Sequence, residues 1–267
     1  MNVTSWSPSR LEKYNECPMK FRLAVLEKKC GACFEGTLRG GFGKPVICDA
    51  CGVEEEVGEA LVRGSEMDDN ATGYVMGKTA TLTPEVKKHP KVHALLKELR
   101  DGFKKKRILI RPQEEIVLDT NWKPVGKFTK GAWFRSRLDV LIIEGTKARV
   151  LDWKSGGINK DTGEVRAGEK YDDQIFAYNA AVLAVYPQVE SVSSALVFFD
   201  AGKKFDPFVE RPKLDLTRDE LEEAKKTWAS RLTRMFSDRQ FAPKPGYYCK
   251  WCPYGREKGG PKSPCRY

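Results

Sequence analysis

No apolar run in this chain approaches the ~18 residues that a membrane-spanning helix needs, so membrane insertion is not expected. The opening residues, Met1-Asn2-Val3-Thr4-Ser5-Trp6, lack a basic start followed by an apolar stretch. Secretion is therefore not expected, and a cytoplasmic address is. There is no internal repeat and no low-complexity tract, which argues against solenoid and fibrous architectures. Histidine is scarce. The two present, His89 and His93, are four apart but have no nearby acid or cysteine in sequence, and they read as surface residues.

The chain does hold 40% apolar and 10% aromatic residues over 267 positions, enough for one large domain or two small ones. The formal charge is +10, from 47 Lys+Arg against 37 Asp+Glu. These charges are scattered, with Lys104-Lys105-Lys106-Arg107 the one run of four, so the surplus favours a polyanionic partner without identifying one.

Eight cysteines without a secretory leader point to metal rather than disulfides, and their spacing decides the matter. Cys30-Gly-Ala-Cys33 and Cys48-Asp-Ala-Cys51 are two knuckles separated by fourteen glycine-rich residues. That is close to zinc-ribbon spacing, and a tetrahedral four-sulfur Zn²⁺ site needs such paired knuckles. Cys17, Cys249, Cys252 and Cys265 remain; they can complete a second four-thiolate site only if the two ends of the chain meet. Ligand type alone leaves iron–sulfur and zinc both open there.

Residues 137–154 form a hairpin pattern: an apolar strand from Leu138 to Ile143, a turn at Glu144-Gly145-Thr146, and a second strand from Ala148 to Trp153. Alternation puts Asp152 and Lys154 on one face, and pairing can bring Asp139 beside them. One ammonium cannot neutralise two carboxylates, so a buried salt bridge is a poor account of the trio. A hard cation such as Mg²⁺ suits it, with the lysine free to meet a water or a phosphate oxygen.

Elsewhere, Ser7-Pro8 opens a helix through Leu11 and Tyr14, and Pro18 starts a short one through Val25. Residues 28–56 read as an inserted zinc-binding module, followed by helix over Val57 to about Leu82 and further helix from Pro90. Strands are expected over Ile108–Leu118, Ala132–Ile143, Lys147–Lys154 and Ser194–Asp200. Helices are expected over Tyr171–Val185 and, from the capping box Thr217-Arg-Asp-Glu220, to about Asp238. The fold class is α/β: one domain over 1–267, with the 28–56 insertion and a C-terminal cysteine clasp at 241–267 pairing with Cys17.

The order of these elements and residues resembles the RecB-like branch of the PD-(D/E)xK nuclease superfamily. Ser7-Pro-Ser-Arg-Leu-Glu-Lys-Tyr14 with Cys17-Pro-Met-Lys-Phe21 is similar to that branch's opening, Asp139 to its motif aspartate, and Asp152-Trp-Lys154 to its (D/E)xK step. Gln174-Ile-Phe-Ala-Tyr178 is similar to its QxxxY motif. Cys17, Cys249, Cys252 and Cys265 resemble the iron–sulfur clasp of the AddAB helicase–nuclease and the CRISPR-adaptation nucleases; small phage exonucleases are similar in size and layout. The sequence departs from the family at Asp68, which follows Gly64 where a histidine is usual. The last cysteine interval, twelve residues, is also longer than the usual handful.

The resemblance implies a restriction-endonuclease-like core, a central mixed sheet flanked by helices. It implies a Mg²⁺- or Mn²⁺-dependent exonuclease acting on DNA ends or single strands in recombination, repair or phage DNA processing, in a phage host's cytoplasm if the gene is a phage's. Asp139, Asp152, the Trp153 backbone carbonyl and Asp68 would hold that ion, and Lys154 would orient water or offset oxyanion charge. Gln174 would brace the lysine, Tyr178 would lie near the DNA, and Glu115 would supply an outer carboxylate. Zn²⁺ is expected at one cysteine set, and a 4Fe–4S cluster or a second Zn²⁺ at the other. Arg135, Arg137 and Lys160 are candidates for backbone contacts, and a helicase or recombination protein is a candidate partner. Two rival readings are a structure-specific endonuclease of the same superfamily and a non-catalytic, zinc-dependent nucleic-acid-binding module.

Overall fold

The computed structural model describes residues 2–41, 44–55, 58–106, 108–159, 161–165 and 168–267. Lys160, Arg107 and Val57 lie outside the described residues. The chain forms two compact units, one of residues 1–57 with 231–267 and one of residues 58–230.

In the second unit, two helices, α3 (Glu59–Val75) and α4 (Pro90–Lys105), precede the strands β3 (Leu109–Leu118), β4 (Phe134–Glu144) and β5 (Lys147–Lys154). Helix α5 (Gly168–Val185) leads to β6 (Ser191–Phe198), and β7 (Phe208–Glu210) and β8 (Leu216–Thr217) follow. The sheet order is β3-β4-β5-β6-β7, with β8 also on β6. All neighbours are antiparallel except β5 and β6, which run parallel because α5 carries the chain across between them. Pro112 in β3 is tolerated because β3 is an edge strand and its missing N–H interrupts no second ladder. The turn between β4 and β5 is tight, with Gly145 at φ 58° supplying the left-handed residue.

Alternation sets what each face of the sheet carries. Val140 from β4 and Leu151 and Trp153 from β5 pack with Met67, Ala71 and Val75 of α3 and Val92, Leu96 and Leu99 of α4. The opposite face takes α5, whose Ile175 packs with Leu196 and Phe198 of β6. This is an α/β fold with a central mixed sheet flanked by helices, as a restriction-endonuclease-like core requires.

The other unit holds α1 (Pro8–Glu16), α2 (Pro18–Phe21, continued by a wide turn over Arg22–Leu26) and the hairpin β1 (Leu38–Gly41) and β2 (Lys44–Cys48). Ser7 caps α1 by accepting the Arg10 N–H at 3.3 Å, with Pro8 in the first turn. Tyr14, Phe21 and Phe241 form an edge-and-stack aromatic core with centroids 5.7 to 6.5 Å apart. The helix α6 (Leu221–Ser237) begins after a 3₁₀ turn that carries the Thr217/Glu220 capping box. A short helix α7 (Arg256–Gly259) lies in the C-terminal segment. Among the described residues, no helix is long and apolar enough to cross a membrane.

Several boundaries differ from expectation. Helix α3 stops at Val75, well before Leu82, because Gly77 at φ 74° ends it and Thr79 packs on Gly73. Strand β6 begins at Ser191 rather than Ser194, its serines tolerated because Ser194 donates to Asn179 at 2.5 Å. His89 is not a surface residue. It is 1% exposed at the start of α4, with Nε2 bonded to the Phe205 carbonyl at 3.1 Å, and His93 is half-buried.

Candidate functional site

The ladder between β4 and β5 ends at the pair Val140–Leu151. One step further the strands part, and Asp139 fills the gap with its side chain: Oδ2 accepts the Trp153 N–H at 2.7 Å. On β5, Trp153 turns to the apolar layer under α3 and α4, so alternation sends Asp152 and Lys154 towards α5. Asp152 is 2% exposed and ion-paired with Lys154. The Lys154 ammonium also donates to Gln174 Oε1 at 3.2 Å and lies 4.8 Å from the centre of the Tyr171 ring.

Gln174 ties this group together from α5. Its Nε2 donates to Asp152 Oδ1 at 3.1 Å and to the Tyr178 hydroxyl at 2.6 Å, one helical turn on. The Tyr178 hydroxyl is in turn 3.4 Å from the Arg137 carbonyl of β4. Burial and the nearby Asp152 charge push the Tyr178 pKa up, so the phenol stays protonated at any ordinary pH.

Helix α3 brings a third carboxylate. Gly64 lets the helix pass close to the residue after Lys154: a Cβ there would stand 2.8 Å from Ser155 Oγ. One turn later Asp68 accepts from Gln113 Nε2 at 3.0 and 3.1 Å and from Thr72 Oγ1 at 3.3 Å. Gln113 lies on β3 between the pairs Pro112–Val140 and Glu114–Leu138, hence opposite Asp139. Its φ of 56° is uncommon for a side-chain-bearing residue and turns the amide towards α3.

The electrostatics are those of crowded acids. Desolvation holds the Asp139 carboxyl well above the usual carboxylate range, and the charges of Asp152 and Asp68 push it further. Burial also raises Asp152, against the pull of Lys154, and raises Asp68, against its bonds from Gln113 and Thr72 and the charge of Arg137. Among the described residues these three carboxylates do not all lie within 4.8 Å of one another.

Asp139, Asp152, Lys154, Gln174, Tyr178 and Asp68 are thus brought into one connected group, and Glu115 is not. Its side chain is exposed and paired with Lys127 at 2.8 Å, and Gln113, two residues earlier on the same strand, reaches Asp68 instead. Gln113 was missed because a glutamine beside two glutamates offers no signal of its own, and its unusual φ has none in sequence. Glu114 is engaged elsewhere, accepting from Tyr186.

The cysteines fall into two sets. The sulfurs of Cys30, Cys33, Cys48 and Cys51 all lie within 4.8 Å of one another, with Cys30–Cys51 at 3.8 Å and Cys33–Cys48 at 3.6 Å. Backbone N–H groups of Ala32, Gly36 and Ala50 point at Cys30, Cys33 and Cys48 at 3.4 Å, the environment a thiolate needs. The Cys51 and Ala50 N–H groups bring the Cys48 thiol down to about 6, while Cys51, despite the Val53 N–H, is pushed up to about 12 by its thiol neighbours. Four sulfurs this close together, with backbone N–H groups aimed at three of them, make a donor set suited to a cation.

Cys17, Cys249, Cys252 and Cys265 line a single cavity together with Lys20, Lys244 and Tyr248. Among the described residues, no three of these sulfurs lie within 4.8 Å of one another. The Lys244 and Gly246 N–H groups point at Cys17 and Cys249 at 3.5 and 3.4 Å. The two sets abut: the Tyr254 hydroxyl donates to the Lys29 carbonyl at 2.6 Å, and Gly31 has no room for a side chain because Pro253 packs on it.

The sequence profile of the PD-(D/E)XK nuclease superfamily matches residues 57–256. No curated protein matches. Among solved structures the chain is similar to one from Eubacterium rectale named "Putative exonuclease", at 15% identity and TM-score 0.44, over 93% of this chain and 87% of that one. It is also similar to SSO0001, at 14% identity and TM-score 0.29, over 61% of this chain and 64% of that one, so it spans less than two thirds of that relative.

Proposed function

Because this chain belongs to the PD-(D/E)XK nuclease superfamily, we propose that it is a divalent-metal-dependent deoxyribonuclease of the RecB-like branch, hydrolysing phosphodiester bonds at DNA ends or in single strands. The observation that carries this reading is the meeting of Asp139 and Asp152, from adjacent strands, with Lys154 and Gln174. Two buried acids, both held above the usual carboxylate range by burial and Asp139 further by the Asp152 charge, with one ammonium among them, make an all-oxygen donor set suited to a hard ion. Asp139, Asp152, the Trp153 carbonyl and Asp68 would hold Mg²⁺ or Mn²⁺. Such an ion, when bound, polarises the phosphate and lowers the pKa of water.

The chain's own groups do the rest. Lys154 is held by three partners, so its charge stays where an attacking water must be oriented and where phosphate oxygens gain charge. Gln174 is a positioning residue, using both ends of its amide to fix the lysine and the aspartate relative to each other. Tyr178 links α5 to β4 beside Arg137, a candidate for phosphate contact with Arg135.

The tight sulfur set of Cys30, Cys33, Cys48 and Cys51 would hold Zn²⁺ in an inserted module over 28–56. A cubane binds each thiolate at a different iron and so needs its ligands wider apart than one ion does. The wider spread of Cys17, Cys249, Cys252 and Cys265 around one cavity therefore favours a 4Fe–4S cluster over a second zinc, as a clasp over 241–267. A helicase or recombination protein would be a natural partner for a nuclease working at DNA ends.

The test is digestion of end-labelled linear, single-stranded and covalently closed circular DNA with Mg²⁺ or Mn²⁺. Loss of linear and single-stranded DNA with the closed circle spared is the expected result. Cutting of the circle would favour the structure-specific endonuclease, and no cleavage of any substrate would leave a binding module.

A further inference from the structure

Strand β4 does not stop where β5 leaves it. Residues Phe134–Leu138 continue past the last β4–β5 pair, Val140–Leu151, and are paired only with β3, over Glu114–Leu118. The result is a two-stranded arm that shares β4 with Asp139. Five residues of strand set Phe134, the outer end of β4, on the order of 17 Å from Asp139.

The arm is stiff. Trp122, buried, packs edge-on against Trp133 at 5.9 Å and stacks on Phe134 at 6.3 Å. Asp119 closes the loop by accepting the Asn121 and Lys123 N–H groups at 2.8 and 2.9 Å. After Val125 has come back along β3, Thr129 N–H donates to the Gly126 carbonyl at 3.0 Å, making a tight turn with Lys127 and Phe128 at its centre, where Lys127 pairs with Glu115 at 2.8 Å. Arg135 donates to the Lys127 carbonyl and holds that turn to the strand.

The rings of Trp122, Trp133 and Phe134 are packed; that of Phe128, on the turn, is not. Phe128 is 91% exposed, the most exposed large apolar side chain among the described residues. The arm, residues 114–138, carries five basic side chains, Lys123, Lys127, Lys130, Arg135 and Arg137, against three acids: Asp119, occupied by the loop, Glu115, paired with Lys127, and Glu114, which accepts from Tyr186. A rigid ribbon with a bare ring on its turn and a surplus of basic side chains fits the end of a duplex nucleic acid: phosphates meet the basic groups, and the ring meets a base face.

We propose that Phe128 is a strand-separating wedge, displacing the terminal base pair of duplex DNA and stacking on the pair behind it, so that one strand is freed to reach the acidic site. This rests on the nuclease reading for its consequence and on the arm alone for its mechanism.

Two measurements test it. Phe128→Ala is expected to slow digestion of blunt duplex about tenfold, the scale of one lost base–aromatic stack. It should leave single strands within about twofold of the parent, and Phe128→Trp should restore blunt-end digestion. Equal loss on all substrates, or no loss on blunt ends, overturns the wedge. Separately, a 2-aminopurine placed at the terminal base pair should brighten when Asp152→Asn protein binds, and should stay dim when Phe128→Ala is added to it. Brightening without Phe128 overturns the proposal. Because this readout needs no cleavage, it decides the wedge even if the parent protein proves unable to hydrolyse DNA.

Discussion

Gln174 touches Lys154, Asp152 and Tyr178 at once, so its amide is the joint on which the acidic group turns. Gln174→Ala should lower the cleavage rate about 10- to 100-fold, the usual effect of losing a residue that orients catalytic groups. Steady-state digestion at saturating DNA checks this, and an unchanged rate would remove Gln174 from the proposed machinery. At this scale much of the group was readable from sequence. A carboxylate and a lysine two apart on an apolar strand must share a face, and Gln174 and Tyr178 four apart must share a helix face. Gln113 and His89 were not readable. One depends on a φ of 56° within a strand, and the other on a loop carbonyl from Phe205, more than a hundred residues away.

Helix α3 can deliver Asp68 only because it runs close to the end of β5, and Gly64 permits that approach. Ser155 Oγ can rotate away from one added methyl, so Gly64→Ala should change stability by less than about 1 kcal/mol, the helix-propensity gain offsetting the contact. Gly64→Val should push the helix outwards and cut Mn²⁺ affinity. Thermal unfolding and Mn²⁺ titration of both variants would show it, and wild-type affinity in the valine variant would contradict it. The cysteine module permits a cleaner count: Cys33→Ser should reduce bound zinc by one ion per chain, measured by elemental analysis. Sequence located the elements well where a cap or breaker marked them, as at Ser7, Pro90 and the Thr217 box. It misjudged α3, whose end is set by Gly77 and by Thr79 packing on Gly73 rather than by the apolar pattern.

For the whole molecule, the buried acids impose a pH dependence. A carboxyl whose folded pKa is raised binds its proton more tightly folded than unfolded. Its stabilising contribution is therefore complete below the ordinary aspartate value, ~3.9, and is lost as pH rises through the raised one. Without added Mg²⁺, unfolding temperature should fall across that interval; with Mg²⁺ the fall should shrink, and Asp139→Asn should abolish most of it. A metal-free protein whose stability is flat there would mean the acids do not crowd one another.

The central claim is that Asp139 and Asp152 act on DNA through one shared divalent ion. Mn²⁺-dependent release of nucleotides from end-labelled linear DNA by purified Asp152→Ala, beside the parent chain, tests it most directly. A loss of about a thousandfold or more, as expected when a principal electrostatic group is removed, with folding and zinc content unchanged, is the predicted result. Cleavage at the parent rate would contradict it.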